Sequence, residues 1–126
     1  MFEAHFGHLI PQRKRVKIPD LVCGSGAFVS WLQSKGYKSV GDIDISPEQI
    51  YVGKECKVKN LRRGYVFTFL GDKEEGYDAI AAHDLIEHFE KNRILALLEL
   101  IYRALKSGGK CAYFNCQHRI SIQRLS

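Results

Sequence analysis

"DLVCGSGAF", which spans residues 20–28, lies between a short apolar run and an amphipathic stretch. Glycines such as Gly24 and Gly26 let a backbone turn tightly and approach a ligand closely. A helix that begins directly after such a loop points its unpaired N–H groups at the same space. The segment therefore predicts a strand, a glycine loop and a helix arranged beneath a bound nucleotide.

Apolar periodicity extends this alternation of strands and helices along the chain. Strands are predicted over residues 15–22, 38–45, 77–83 and 110–115, with residues 65–70 (YVFTFL) as a third strand or a strand that leads into a turn. Helices are predicted over 2–10, 27–37, 47–57 and 91–109. In the last helix the expected core stripe is Ile94, Leu95, Leu98, Ile101, Tyr102 and Leu105, with Gly108 or Gly109 at the end.

The second helix has the clearest start signal. Ser46 is a favourable N-cap, Pro47 suits the first helical position, and Gln49 falls where a capping box has Glu or Gln. Alternating strands and helices favour an α/β fold: a doubly wound, mostly parallel sheet of about five strands with helices on both faces. We expect one domain over residues 1–126, with its ligand beyond the carboxyl ends of the strands where strand order reverses.

Length and composition fit a globular domain with one core, since the 126 residues are 45% hydrophobic and 26% charged. No apolar run approaches the roughly 20 residues that span a bilayer. The first 15 residues carry their charges after the apolar part, the reverse of a secretory signal, so a cytoplasmic location without membrane contact is expected. The four cysteines form no CxxC pair and are interpreted as reduced, mostly packed thiols.

Positive charge is concentrated in two segments, RKRVK (13–17) and KECKVKNLRR (54–63), within a formal net charge of +5. Such patches can attract nucleic acid or another polyanion. A solvated basic face is the favoured interpretation of these segments, because no known nucleic-acid motif accompanies them.

An acidic residue about 20 residues after a glycine loop is typical of a ribose ligand, and Asp44 has that position. A dinucleotide-binding loop is disfavoured because Val29 stands where its third glycine belongs. Four segments instead resemble motifs of class I S-adenosylmethionine-dependent methyltransferases, a Rossmann-like family of which small-molecule and sugar-type members are the most similar. They are DLVCGSG (D-x-G-x-G-x-G), DIDISPEQI, YDAIAAHDLIEHF and LIYRALKSGGK (R-x-L-K-P-G-G).

The resemblance implies roles for individual residues. Asp20 would orient the loop or reach the methionine amino group of S-adenosylmethionine, and Asp44 would hold the ribose hydroxyls. His83, at the end of the fourth strand, would line the pocket near the methyl group. The remaining implied cofactor contacts are Cys23, Gly24, Ser25, Gly26, Ile45 and Tyr65.

The chain departs from the family pattern at four positions. Val22 replaces the first loop glycine, and Asp42 replaces another glycine of the pattern. Tyr65 replaces the acidic residue that accepts a hydrogen bond from the adenine amino group, and Pro19 lies inside the first strand. Val22 is expected to be strained if its φ is positive, and Asp42 to add negative charge beside Asp44. The family also continues with two further strands after residue 115, so an exposed sheet edge and a homodimer through it are expected.

The segment HDLIEH raises the question of a metal site. Asp84, Glu87 and His88 are spaced to share a helix face, and His118 could add a fourth ligand. A polar first helical turn explains the acids more simply, and no metal is expected. Methyl transfer depends mainly on alignment of donor and acceptor; if a base takes part, His83 or His88 is the candidate.

Two functions therefore stay open. The first is methyl transfer from S-adenosylmethionine, most simply to a small-molecule acceptor, with nucleic acid as the other candidate. The alternative is a catalytically inactive methyltransferase-like module that acts in interaction or regulation.

Overall fold

Ten regular elements alternate along the described part of the chain, which comprises residues 10–83, 85, 89–114 and 119–125 of the computed structural model. The strands are β1 (Ile18–Asp20), β2 (Val40–Asp44), β3 (Leu61–Arg63), β4 (Tyr77–His83), β5 (Leu105–Phe114) and β6 (Arg119–Gln123). The helices are α1 (Ala27–Ser34), α2 (Pro47–Glu55), α3 (Val66–Leu70) and α4 (Lys91–Ala104). The predicted helix over residues 2–9 lies outside the described residues.

The strands form one sheet in the order β3-β2-β1-β4-β5-β6. Strands β1 to β5 pair in parallel, and β6 pairs antiparallel to β5. The order reverses between β1 and β4, which places the switch point beside the glycine loop. The predicted doubly wound, mostly parallel fold is confirmed. The sheet has one strand more than the about five predicted, because residues 119–123 pair with β5 instead of forming an irregular tail.

The helices cover both faces of the sheet over separate cores. Helices α1 and α2 pack on one face through Phe28, Val29, Leu32 and Ile50, and α3 and α4 on the other through Val66, Leu70, Leu97 and Ile101. Strand β4 shows the alternation: Ala79 and Ala81 belong to the first core, Ile80 and Ala82 to the second. A strand buried on both faces reads as a continuous apolar run, as residues 79–82 do.

The prediction of the third strand over residues 65–70 is wrong. Residues 66–70 form the short helix α3, and the strand is Leu61–Arg63, inside the basic segment. Val66 and Leu70 are one helical turn apart and both are buried, whereas Thr68, which would share their face in a strand, is exposed, so this segment covers the second core as a helix. The backbone N–H of Gly64 donates to the Asp44 carbonyl at 3.0 Å and aligns this crossing with the end of β2.

The predicted core stripe of α4 is also partly wrong. Leu97, Ile101 and Ala104 are buried, whereas Leu95 is 71% exposed and Tyr102 is 42% exposed. The helix has apolar residues on more than one face, so the sequence contains two overlapping apolar stripes. The stripe that contains Ala104 is the buried one, because the small side chain of Ala104 lets the end of the helix lie against the sheet. No helix in the described ranges is long and apolar enough to cross a bilayer.

Helix α4 ends at Ala104, earlier than Gly108 or Gly109, because Leu105 is already extended and begins β5. Its terminal carbonyls are paired by distant residues. Arg124 Nη1 donates to the carbonyls of Tyr102, Arg103 and Leu105 at 3.4, 3.0 and 2.8 Å. A side chain beyond β6 therefore completes the end of α4.

Pro19 lies in the sheet centre, fully buried and in register with Gly41 of β2. Proline has no N–H to donate to a ladder. In agreement, β1 is only three residues long and pairs with β4 at a single position, Asp20 with Ala81.

Candidate functional site

The glycine loop folds back onto the carboxyl end of β2 and binds Asp44 there. The Gly24 N–H donates to Asp44 Oδ2 at 2.9 Å, and the Ser46 N–H donates to Oδ1 at 2.9 Å. Asp44 is only 8% exposed, so both bonds form where water competes weakly. Each carboxylate oxygen can accept two hydrogen bonds, so one acceptor site per oxygen is left for a ligand.

Ser46 links this carboxylate to α2. Its hydroxyl accepts the Gln49 N–H at 3.3 Å, which is half of the predicted capping box. The other half differs: the Ser46 N–H is bound by Asp44 and not by the Gln49 side chain. The residue expected to hold ribose therefore also fixes the helix start beside it.

Glycines permit the close packing around the loop. Gly26, with φ +91°, ends the loop and caps α1, and a Cβ there would lie 2.9 Å from Leu61 Cδ1. Gly53 lies opposite the loop on α2, where a Cβ would be 2.6 Å from the Ser25 carbonyl oxygen. The loop is thus confined between α2 and β3 with no room for a side chain at either glycine.

Two buried side chains fix the start of the loop. Asp20 is 2% exposed, and its Oδ1 accepts the Val22 N–H at 3.3 Å. The Cys23 N–H donates to the Ile43 carbonyl at 2.8 Å. Burial, with the nearby charges of Asp20 and Asp44, raises the pKa of the Cys23 thiol to about 12, so this cysteine is a neutral packing group. Cys111 is buried as well, whereas Cys56 is exposed; all three are free thiols.

A cavity of about 700 Å³ opens beside Asp44, at the carboxyl edge of the sheet. Its volume lies in the range of small-molecule sites. Its described lining residues are Leu21, Val22, Asp44, Ile45, Ser46, Gly64, Tyr65, Val66, Leu85, Phe89, Glu90 and Arg93. Leu21 and Val22 of the loop therefore share one cavity with Asp44.

The cavity contains some of the predicted cofactor residues and not others. Asp44, Ile45 and Tyr65 line it. The described lining does not include Asp20, Cys23, Gly24, Ser25 or Gly26. In this geometry Asp20 orients the loop, the first of its two predicted roles, and Gly24 acts through its bond to Asp44.

Val22 is not strained. Within the described loop only Gly24 and Gly26 have positive φ, so the β-branched Val22 has an ordinary backbone. Its side chain is half-buried, packs against the second core and lines the cavity. Valine in place of the family's glycine therefore narrows the cavity and does not strain the backbone.

The strained residue is Asp42, with φ +145° inside β2, a conformation that favours glycine. Its carboxylate accepts hydrogen bonds from Arg62 Nη2 at 2.9 Å and Nε at 3.3 Å. Burial raises the pKa of the Asp42 carboxyl above its ordinary value, although Arg62 acts in the opposite direction. The expected extra charge beside Asp44 is thus paired with Arg62, at the edge strand.

Aromatic and cationic side chains form the opposite wall of the cavity. Tyr65 is 41% exposed, its hydroxyl accepts Arg93 Nη2 at 3.4 Å, and its ring lies 5.6 Å from that of Phe67. The Arg93 guanidinium lies 4.2 Å above the Phe67 ring, within cation–π range. Phe67 in turn meets Phe89 edge-on at 5.5 Å.

The histidine and metal candidates are largely outside the described residues. His83 ends β4 in register with Phe114, at the same sheet edge as the cavity. His88, Asp84, Glu87 and His118 lie outside the described ranges, as does Cys116. Among the residues that are described, no group of His, Cys, Asp or Glu could hold a metal ion.

Several cavity residues were missed by sequence reasoning: Leu85, Phe89, Glu90, Arg93, Gly64 and Val66. Phe89 and Glu90 directly follow the HDLIEH segment, which was a usable signal. Arg93 had none, because an arginine in the first turn of an amphipathic helix looks like any solvated cation. The structure shows why residue 64 is a glycine, since a Cβ there would lie 2.9 Å from Ile43 Cγ2.

This fold and a cavity at the switch point, with an acidic residue ending β2, define a Rossmann-like nucleotide-binding class. Comparison with known proteins is more specific. The family described as "Methyltransferase domain" matches residues 19–113, so the chain belongs to this methyltransferase family. No protein of curated function matches the chain significantly in sequence.

Solved structures share the fold. An S-adenosylmethionine-dependent methyltransferase from Mesorhizobium loti aligns with TM-score 0.70 and 19% identity, over 89% of this chain and 52% of its own. One from Archaeoglobus fulgidus gives 0.73 and 23%, over 88% and 50%. Phosphoethanolamine N-methyltransferase 2 of Haemonchus contortus, in complex with phosphomonomethylethanolamine and S-adenosylhomocysteine, gives 0.74 and 23%, over 89% and 27%.

The chain spans about half the length of the first two of these proteins. The predicted family is confirmed, and with it S-adenosylmethionine as the cofactor of the family. Identities of 19–23% support a common fold and do not identify a methyl acceptor for this chain.

Proposed function

We propose that this chain binds S-adenosylmethionine in the cavity beside Asp44 and transfers its methyl group to a small-molecule acceptor. One observation carries the proposal: the Asp44 carboxylate lines the cavity while its two oxygens each hold one backbone N–H. The carboxylate is thereby fixed in orientation and keeps one acceptor site per oxygen for the ribose hydroxyls. Ile45 and Tyr65 supply apolar surface for the adenine on either side.

Bound S-adenosylmethionine supplies a sulfonium methyl group that is already activated for transfer. The protein's task is then to align donor and acceptor and to exclude water, which is worth several orders of magnitude in rate. Leu21, Val22 and Leu85 give the inner end of the cavity an apolar wall. In the described lining, two carboxylates, Asp44 and Glu90, against one cation, Arg93, favour a positively charged ligand.

A small acceptor fits this cavity better than a polymer. The volume of about 700 Å³ is shared with the cofactor, and much of its lining is apolar. The cavity has one arginine, so it offers little to a phosphate backbone, which is bound by several cations together. His83 or His88 is proposed as the base if the acceptor must lose a proton. Loss of turnover in His83→Ala with unchanged cofactor binding would support His83.

The alternative is a module of this fold that no longer catalyses and acts in interaction or regulation. A specific observation favours it: Val22 occupies the loop side of the cavity, and the described lining excludes Gly24 and Gly26. A cofactor whose methionine part should lie along the loop then meets a side chain. The predicted homodimer would belong to this role, and light scattering would test it.

Calorimetric titration with S-adenosylmethionine and S-adenosylhomocysteine, at two temperatures, separates the two functions. We expect a dissociation constant below about 1 mM for the native chain, loss of binding in Asp44→Ala, and tighter binding in Val22→Gly. Absence of heat at both temperatures would support the inactive module. Labelled methyl groups should then enter a filtered small-molecule extract; incorporation only into retained macromolecules would contradict a small acceptor.

A further inference from the structure

Six cations surround two adjoining hollows at the amino edge of the sheet, opposite the cavity. The larger, of about 770 Å³, is lined by Arg13, Lys14, Arg15, Val16, Lys17, Gly76, Asp78 and Lys106. The smaller, of about 500 Å³, is lined by Lys14, Arg15, Gly36, Lys38 and Ser39. Lys14 and Arg15 belong to both, so the two hollows form one continuous basic groove.

The basic segment is fixed to the domain and does not form a loose tail. Val16 is buried in the first core, and the Lys14 ammonium lies 4.2 Å above the buried Tyr37 ring. The Tyr37 hydroxyl donates to the Pro11 carbonyl at 2.5 Å. These contacts fix the Lys14 side chain and the backbone of the basic segment, which lowers the entropic cost of binding a ligand.

Asp78 is the single acid of the groove and bridges its two sides. Its Oδ1 lies 3.5 Å from Arg13 Nη2 and its Oδ2 lies 3.5 Å from Lys106 Nζ. Arg13 precedes β1, whereas Lys106 belongs to β5, so the carboxylate joins cations that are remote in sequence. One acid against six cations leaves the groove strongly positive.

The lining also indicates the kind of partner. None of the large exposed apolar side chains in the described ranges lines either hollow. A protein interface normally has an apolar or aromatic anchor, and a membrane-binding surface inserts one. An elongated groove of cations without such an anchor is suited to a chain of phosphates, where the free energy comes from release of counterions.

We propose that this groove binds the phosphodiester backbone of nucleic acid without sequence specificity. The interaction is independent of the proposed methyl transfer, because the groove lies at the amino ends of the strands and the cavity at their carboxyl ends. Binding is not directed at bases, since no aromatic side chain among the described residues lines either hollow to stack on them.

Fluorescence anisotropy with a labelled 20-base-pair RNA duplex tests this assignment. With about four phosphate contacts, affinity should fall about 100-fold between 50 and 200 mM salt. The double variant Lys14→Gln, Arg15→Gln should reduce that fall to about tenfold. The matched control Lys54→Gln, Lys57→Gln removes the same charge from α2 and the turn after it, outside both hollows, and should leave the salt dependence nearly unchanged.

A third variant should change the affinity for RNA in the opposite direction. Asp78→Asn removes the acid of the groove and should tighten RNA binding by several-fold, which misfolding could not produce. Equal weakening by both lysine-containing double variants would show attraction by net charge alone and would overturn the groove. So would a flat salt response, or binding to vesicles of anionic lipid without binding to the duplex.

Discussion

The two walls of the cavity are built in different ways. On the β1–β2 side, the loop is held by backbone N–H bonds to Asp44 and by close packing at Gly26 and Gly53, where no Cβ fits. On the α3–α4 side, Tyr65, Phe67 and Arg93 meet through partly exposed rings and a guanidinium. The first wall is a fixed part of the fold, whereas the second is a set of side chains that can change at little cost in stability.

The largest effect should come from closing the space at the first wall. Gly26→Ala places a Cβ against Leu61 at a φ of +91°, and we expect a loss of about 3 kcal/mol in the free energy of unfolding. Gly36→Ala is the matched control, since Gly36 has φ +97° but no atom within 4 Å of the added Cβ. It should cost about 1 kcal/mol in urea unfolding. Equal losses would mean that the loop is not tightly packed.

Removal of the Asp44 carboxylate should have the next largest effect. Asp44→Ala leaves the Gly24 and Ser46 N–H groups without their acceptor in a buried place, at a cost of about 2 kcal/mol. Asp44→Asn keeps one acceptor oxygen and should lose about 1 kcal/mol. Thermal unfolding of the two variants measures the difference. No destabilisation in Asp44→Ala would contradict the structural role of this carboxylate.

Asp42, in β2 and outside the cavity lining, should respond with the opposite sign. Asp42→Gly relieves a positive φ and should stabilise the protein by about 1 kcal/mol, whereas Asp42→Asn keeps the strain. Because burial raises the pKa of Asp42 in the folded state, its ionisation lowers stability as pH rises through that pKa. The advantage of Asp42→Gly should therefore be larger at about pH 7 than at about pH 3, below the ordinary aspartate pKa. A pH-independent difference would exclude the carboxyl from the effect.

The smallest loss of stability is expected from a substitution in the second wall, on the α3–α4 side. Arg93→Gln removes the cation above Phe67 and the bond to Tyr65, both partly exposed, and should cost about 0.5 kcal/mol. Cofactor affinity should change by less than about threefold. Lys91→Gln, two residues away at the start of α4 and outside the cavity lining, serves as its control. A loss as large as that of Asp44→Ala would abolish the contrast between the walls.

Sequence was most informative where one residue has one compatible role. The loop, the α2 start at Ser46 and the position of Asp44 could be predicted because glycine, N-cap and strand-end acid each have a definite chemistry. The α3 helix could not, because YVFTFL suits a strand, and only the exposure of Thr68 between buried Val66 and Leu70 decides for a helix. The unstrained backbone of Val22 and the pairing of Asp42 with Arg62 depend on tertiary geometry that local sequence does not contain.

Arg124 has a consequence for how the chain folds as it is made. Its guanidinium supplies donors to carbonyls at the end of α4, which was synthesised about 20 residues earlier. At ribosomal rates of 5–20 residues per second, that helix terminus waits roughly one to four seconds for its last donor. The nascent domain should therefore stay susceptible to proteolysis near residue 104 until residue 124 has left the ribosomal tunnel.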